Sequence, residues 1–130
     1  MHEYSVVSEL ISSLLPRLEG VSGRILSVHL QKGELRILSD WALIHAFEVL
    51  SEGTQLEGAV LEIESVGVTL RCRGCGYEGR GDTLCDEIFH FAVPVLTCPR
   101  CKGEVDVLSG RELYVDKITL ADDEAASHFP

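Results

Sequence analysis

Four cysteines fall in two CxxC pairs, Cys72-Arg73-Gly74-Cys75 and Cys98-Pro99-Arg100-Cys101, with 22 residues between the inner members. Two residues between thiols let one turn aim both sulfurs at a single ion. Four thiolates around a d¹⁰ cation form a closed tetrahedral site. Gly76 and Gly103, shortly after each pair, suit tight turns that direct backbone N–H groups at the sulfurs. A structural Zn2+ on Cys72, Cys75, Cys98 and Cys101 is the expected occupant. A rubredoxin-like iron site and a pair of redox motifs are the alternatives. A redox CxxC accompanies a βαβ pattern, whereas these two lie in a glycine-rich segment. The gap exceeds the usual ~15–20 residues, an excess that a hairpin extension would absorb. Such a site has no open coordination position and cannot be a catalyst. Cys85, the fifth thiol, reads as an idle cysteine or as an exchangeable ligand.

A second piece of chemistry sits at the first three residues. The α-amine of Met1, the amide nitrogen of His2 and Nδ1 of the same His2 ring can close adjoining five- and six-membered chelate rings. A fourth nitrogen can come from the Glu3 amide or from another side chain. Four nitrogens in a plane suit Ni(II) or Cu(II), and zinc gains nothing from that field. The bland reading is that His2 is a solvated terminal residue. His2-Glu3 does not begin an HExxH zinc site, because Val6 stands where the second histidine would be. The remaining histidines read as structural: His29 on the polar face of a strand, His45 packed near Trp41, His128 in the tail.

These groups need elements to hold them. Adjacent apolar pairs at Val6/Val7, Leu10/Ile11 and Leu14/Leu15, then Leu18, predict an amphipathic helix over Glu3–Leu18, weakened near its end by Pro16. Alternation over Arg24–Gln31 predicts a half-buried strand, and Glu34–Leu38 a short strand or irregular piece. Ser39 and Asp40 offer an N-cap for a helix over Asp40–Ser51, with Trp41, Ile44, Phe47 and Leu50 spaced for one face. Ala59–Ser65 alternates as a strand that Val68–Arg71 continues, and Arg111–Leu120 is a further strand. The segment Leu70–Leu108 holds all five cysteines and five of the 12 glycines. It is too short to rest on an apolar core alone. The expected division is residues 1–69 and 110–122 as one α/β domain, 70–109 as a metal-stapled domain, and 123–130 as a frayed acidic tail.

Composition bounds the function. The 130 residues carry 11 basic and 21 acidic side chains, a net charge of −10, which argues against nucleic acid as a partner. Residues 66–110 hold 5 basic and 6 acidic side chains, so the acidity belongs to the remainder. No apolar run approaches a membrane span, and no secretory signal is evident, so no membrane association and a cytoplasmic protein with reduced thiols are expected. There is no GxxxxGK[ST], HExxH or GxSxG motif, so no enzyme activity is expected.

The combination of MHEYS at the start, Gly33-Glu34-Leu35, Ala46-Phe47-Glu48, Gly58-Ala59 before Leu61-Glu62-Ile63, CxxCG, CPxC and Gly110-Arg111-Glu112-Leu113 resembles the HypA/HybF family of hydrogenase-maturation nickel metallochaperones. The likeness runs from Met1 to about Leu120. It implies an α+β fold, a small mixed three-stranded sheet flanked by two helices, with an inserted zinc-ribbon-like domain. It implies Ni2+ as transferred cargo at Met1, His2 and Glu3, and zinc at the four cysteines. It also implies a maturation GTPase as partner and delivery to the [NiFe]-hydrogenase large subunit. In some bacteria the recipients extend to urease and its accessory proteins, and a homodimer is left open. Some archaeal members add a histidine from between the CxxC pairs to the nickel site, for which His90 is the candidate. A zinc-ribbon protein–protein adaptor without nickel transfer is the rival reading.

Overall fold

The computed structural model describes the backbone of residues 2–86 and 91–121, and their side chains apart from those of 83–86 and 91–94. The chain is α+β, built as α1 (Glu3–Arg17), β1 (Ile25–Gly33), α2 (Asp40–Leu50), β2 (Val60–Val66), β3 (Thr69–Cys72), β4 (Glu78–Arg80), β5 (Thr83–Asp86), β6 (Phe91–Pro94), β7 (Val105–Ser109) and β8 (Leu113–Leu120). Two compact units share these elements. Unit 1 takes residues 1–30, 38–64 and 114–130, and unit 2 takes 31–37 and 65–113.

Unit 1 carries α1, α2 and most of a three-stranded sheet ordered β2-β1-β8. The paired apolar positions of α1 bury Val6, Val7, Ile11 and Leu14, and Leu18 closes the stripe. Pro16 is tolerated in the last turn, where Leu18 N–H reaches back to the carbonyls of Leu14 and Leu15. Ser39 caps α2, its Oγ accepting from Ala42 N–H at 3.2 Å. The two helices lie side by side and parallel, tied at both ends. Glu3 Oε2 accepts from Ser39 N–H at 2.8 Å, and Gln55 Nε2 donates to Leu18 O at 2.9 Å. Phe47, Leu43, Ile25, Val28, Leu30, Leu56 and Leu61 fill the core beneath them.

The buried face of α2 is not the one that the spacing of Trp41 suggests. Leu43, Ala46 and Phe47 point inward, while Trp41 is 74% exposed and stacks on His45 with ring centroids 5.4 Å apart. The helix is apolar on several sides, so its periodicity selects no single face.

Unit 2 corrects a second expectation. Val68–Arg71 does not extend β2: the chain breaks at Gly67, and β3 enters a separate sheet ordered β4-β3-β7. There Leu70 opposes Gly79 on one side and Val107 on the other, both antiparallel. Glu34, rather than lying in a strand, accepts from Val68 N–H at 2.8 Å and pairs with Arg80 at 3.1 Å. Gly33 meets Gly110 so closely that a Cβ would fall 2.0 Å from the Gly110 carbonyl oxygen. β5 and β6 form an antiparallel hairpin within the interval between the CxxC pairs. Among the described residues of unit 2 the buried apolar side chains are Val68, Leu70, Cys72 and Cys98. Two aliphatic side chains cannot order a unit of this size by burial alone.

Candidate metal centres

The sulfurs of Cys72, Cys75, Cys98 and Cys101 all lie within 4.8 Å of one another, and this is the one such cluster among the described residues. Cys72 and Cys101 sulfurs are 3.5 Å apart, and those of Cys75 and Cys98 are 3.6 Å apart. A disulfide would bring them to about 2.05 Å. Ligands 2.3 Å from a tetrahedral zinc stand about 3.8 Å from each other. The cage therefore matches a metal and not a cross-link.

The two CxxC turns repeat one design. Cys72 N–H bonds to Tyr77 O at 2.7 Å, and Cys98 N–H to Gly103 O at 3.0 Å, each closing a loop over the same number of residues. Inside the loops Gly74 and Cys75 N–H donate to Cys72 Sγ at 3.3 Å. Arg100 and Cys101 N–H donate to Cys98 Sγ at 3.4 and 3.5 Å. The first cysteine of each pair is buried and the second exposed. The left-handed residue after each pair is Gly76 (φ +80°) in the first turn and Lys102 (φ +66°) in the second. Gly103 serves a different need from the expected turn: a Cβ there would come within 3.2 Å of Cys101 Sγ. Arg73, within the first turn, grips Asp106 at 2.8 Å and Glu104 at 3.2 Å just past the second turn.

These donors set the charge of the cage. The Cys75 N–H, helped by that of Gly74 against the pull of burial, holds the Cys72 thiol down at about 6. At Cys98 burial pushes upward, and the N–H groups of Cys101 and Arg100 outweigh it for a net lowering. Cys101 is stabilised as an anion by the Gly103 N–H, yet its role as donor to the Cys72 and Cys75 sulfurs pushes it up to about 11. Thiols so close cannot all ionise without a cation among them. The soft, all-sulfur donor set and the ring of N–H groups fit Zn2+, which would hold this segment folded and supply no reaction chemistry.

At the other candidate centre, His2 is the N-cap of α1 with extended φ/ψ, and its exposed ring makes no capping bond. Its carbonyl accepts the first helical bond, from Val6 N–H at 3.1 Å. The Glu3 carboxylate is engaged, and the Ser39 N–H followed by its own backbone N–H holds it below the usual carboxylate range. Met1 and His90 lie outside the described residues, as does His128; Cys85 is on β5, opposite Ala92, with its side chain outside them. The structure thus brings the four cysteines together and places His2 and Glu3 at one helix start. The Glu3–Ser39 link joins residues 36 apart in sequence and had no local signal. Nor did the side-chain cluster of His29 with Glu64 and Asp116.

A sulfur cage in a small β unit, together with a helical unit whose first residues offer nitrogen donors, defines a metal-binding α+β protein. A family model described as hydrogenase/urease nickel incorporation, metallochaperone, HypA matches residues 1–120. The chain is 38% identical over 122 residues to the hydrogenase maturation factor HypA of Methanothermobacter thermautotrophicus, covering 92% of this chain and 97% of that one. It is 35% identical over 124 residues to the factor of that name from Lawsonia intracellularis, covering 92% and 99%. Its fold is similar to the solution structure of the Ni metallochaperone HypA from Helicobacter pylori, with a TM-score of 0.62 and 25% identity over 95% of this chain and 100% of that one. The chain belongs to the HypA family of nickel-incorporation metallochaperones for hydrogenase and urease, and is a maturation factor rather than an enzyme.

Proposed function

We propose that the chain carries Ni2+ at its amino end, on Met1, His2 and Glu3, and holds Zn2+ permanently at Cys72, Cys75, Cys98 and Cys101. The observation that carries this reading is the state of the helix start: His2 projects an uncommitted ring from a position where helical geometry leaves N–H groups without carbonyl partners. The first N–H groups of any helix have no partner within it, so deprotonating the His2 and Glu3 amides for a planar nickel field breaks no helical bond. The Glu3 carboxylate, tied to Ser39 and reached by its own backbone N–H, fixes the start of α1, so deprotonating that amide for nickel gives up only this local contact.

Nickel held by few anchors at a chain end can leave by stepwise ligand exchange, and protonation of the imidazole weakens it because only the neutral ring binds. In this reading the chain works with a maturation GTPase and delivers nickel to the [NiFe]-hydrogenase large subunit, with urease as a further recipient, all in the cytoplasm. The zinc-holding segment is 70–109, and His90 within it is the candidate for a further nickel ligand. Among the described residues no helix is long and apolar enough to cross a membrane. The test is absorption and metal analysis of untagged, zinc-loaded protein titrated with Ni(II), against a His2→Ala variant. A planar nickel band lost in the variant, with zinc retained, is expected. Equal nickel uptake by both proteins overturns the proposal.

A further inference from the structure

We infer that His29 and Glu64 form a second, exchangeable site for a divalent transition-metal ion on the sheet of unit 1, distinct from the amino end and from the sulfur cage. His29 sits on β1, the central strand, and its ring is held from both sides: Asp116 on β8 meets Nδ1 at 2.5 Å, and Glu64 on β2 meets Nε2 at 3.2 Å. The two contacts differ in length. With the Nδ1 proton given to Asp116, Nε2 can present its lone pair, and a carboxylate on Nδ1 makes the ring a better ligand. This is the arrangement that commonly stands behind a metal-bound histidine.

With Nδ1–H committed to Asp116, a lone pair on Nε2 and an anionic oxygen of Glu64 face each other across 3.2 Å. A proton bridges that separation in the ordinary ion pair, and a metal ion can take its place. Two ligands bound at about 2.0–2.1 Å with angles between 90° and 109° are separated by about 2.9–3.4 Å. The observed separation lies inside that window, so one ion can be shared by both atoms at normal bond lengths. Asp116 approaches the opposite nitrogen and acts as the positioning residue, not as a ligand. Access is from the Glu64 side: the His29 side chain is 16% exposed, Asp116 33% and Glu64 57%. Two protein ligands on a partly exposed sheet face make a site that is weak and fast to exchange. An imidazole with a carboxylate suits borderline ions such as Ni(II) and Zn(II).

The inference does not rest on nickel binding at the amino end, and its test is run without that site. Zinc-loaded His2→Ala protein, isotopically labelled, is titrated with Ni(II) alone at pH 7.5 and followed by NMR. Paramagnetic broadening is expected around Val28–Leu30, Ile63–Ser65 and Val115–Lys117, and its loss is expected when His29→Gln is added. Glu64→Gln should weaken the binding and Asp116→Asn should weaken it about 10-fold, since the asparagine still accepts the Nδ1 proton but polarises the ring less. Should His29→Gln not fold, Glu64→Gln decides. Broadening that persists in the foldable variants, or that never centres on these strands, overturns the inference.

Discussion

Replacing Glu3 with Gln separates the two jobs assigned to that residue, because it keeps the backbone amide and removes only the carboxylate charge. In the wild type the charged oxygen accepts from Ser39 N–H at 2.8 Å, joining the first turn of α1 to the capping residue of α2. A charge-assisted bond contributes about 1.5–3 kcal/mol and a neutral one about 0.5–1.5 kcal/mol, and Gln can still make the neutral one. The lost charge at a helix start adds about 0.3–1 kcal/mol. Partial exposure places the total at the lower end, about 1 kcal/mol, or a fall of about 3–5 °C in Tm for a chain of this length. The pH dependence has a definite sign. The folded-state pKa of Glu3 is depressed, so its stabilisation is present above the ordinary carboxylate pKa and disappears as pH falls through the lowered value. The wild-type and Gln melts should therefore differ at pH 7 and converge only once the pH has fallen below the ordinary carboxylate range. Nickel titration of the same untagged proteins completes the assay: Glu3→Gln should keep the planar nickel spectrum that His2→Ala loses. If Glu3→Gln loses it as fully as His2→Ala does, the carboxylate is a ligand and the assignment of the amide is refuted.

Gly33→Ala drives a Cβ into the Gly110 carbonyl and should cost about 3 kcal/mol or more, read by denaturant unfolding. Gly76→Ala meets no neighbour but must hold φ +80°, so it should cost about 1–2 kcal/mol. Lys102→Gly, at φ +66° with its ammonium only 3.9 Å from an exposed Asp82, should change stability by no more than about 1 kcal/mol, upward if at all. Equal losses for both would contradict the account of the paired turns. Chelation at mildly acid pH, where thiol protonation aids release, should free one zinc per chain and abolish amide protection at Leu70 and Cys72. Protection at Leu43 and Phe47 should persist; full retention in both units would show that metal does not hold unit 2.

The parts of this molecule that were legible in its sequence are those whose signals are local. The stripe of α1, the Ser39 cap and the sulfur quartet each depend on residues a few positions apart, or on a ligand chemistry with few alternatives. Trp41 misled because an apolar helix offers several faces, and which one is buried is decided by the sheet beneath it. β3 misled because strand propensity says nothing about which sheet a strand joins, and that choice was made by Gly67 and by pairing to β7, which follows the second CxxC. The Glu3–Ser39 bond and the His29 cluster join positions 35 or more apart, and no spacing rule reaches that far. Lys102 shows the converse: the turn after the second CxxC requires a left-handed residue, and the chain supplies one without using the neighbouring glycine.

Charge separates the two units as sharply as their ligands do. Unit 1 holds 13 acidic and 3 basic side chains, 3 − 13 = −10, whereas unit 2 holds 8 of each and is formally neutral before its thiols ionise. The whole excess of negative charge thus belongs to the unit bearing His2, Glu3 and the His29 cluster, where it raises the local concentration of cations and favours a basic partner surface. In unit 2 the carboxylates next to the sulfur cage are engaged: Glu104 and Asp106 are held by Arg73. That pairing ties the first CxxC turn to the residues following the second, which opposes opening of the cage. Attraction without closure at one unit and closure without net attraction at the other are the physical conditions that the proposed exchange of one metal and retention of another would require.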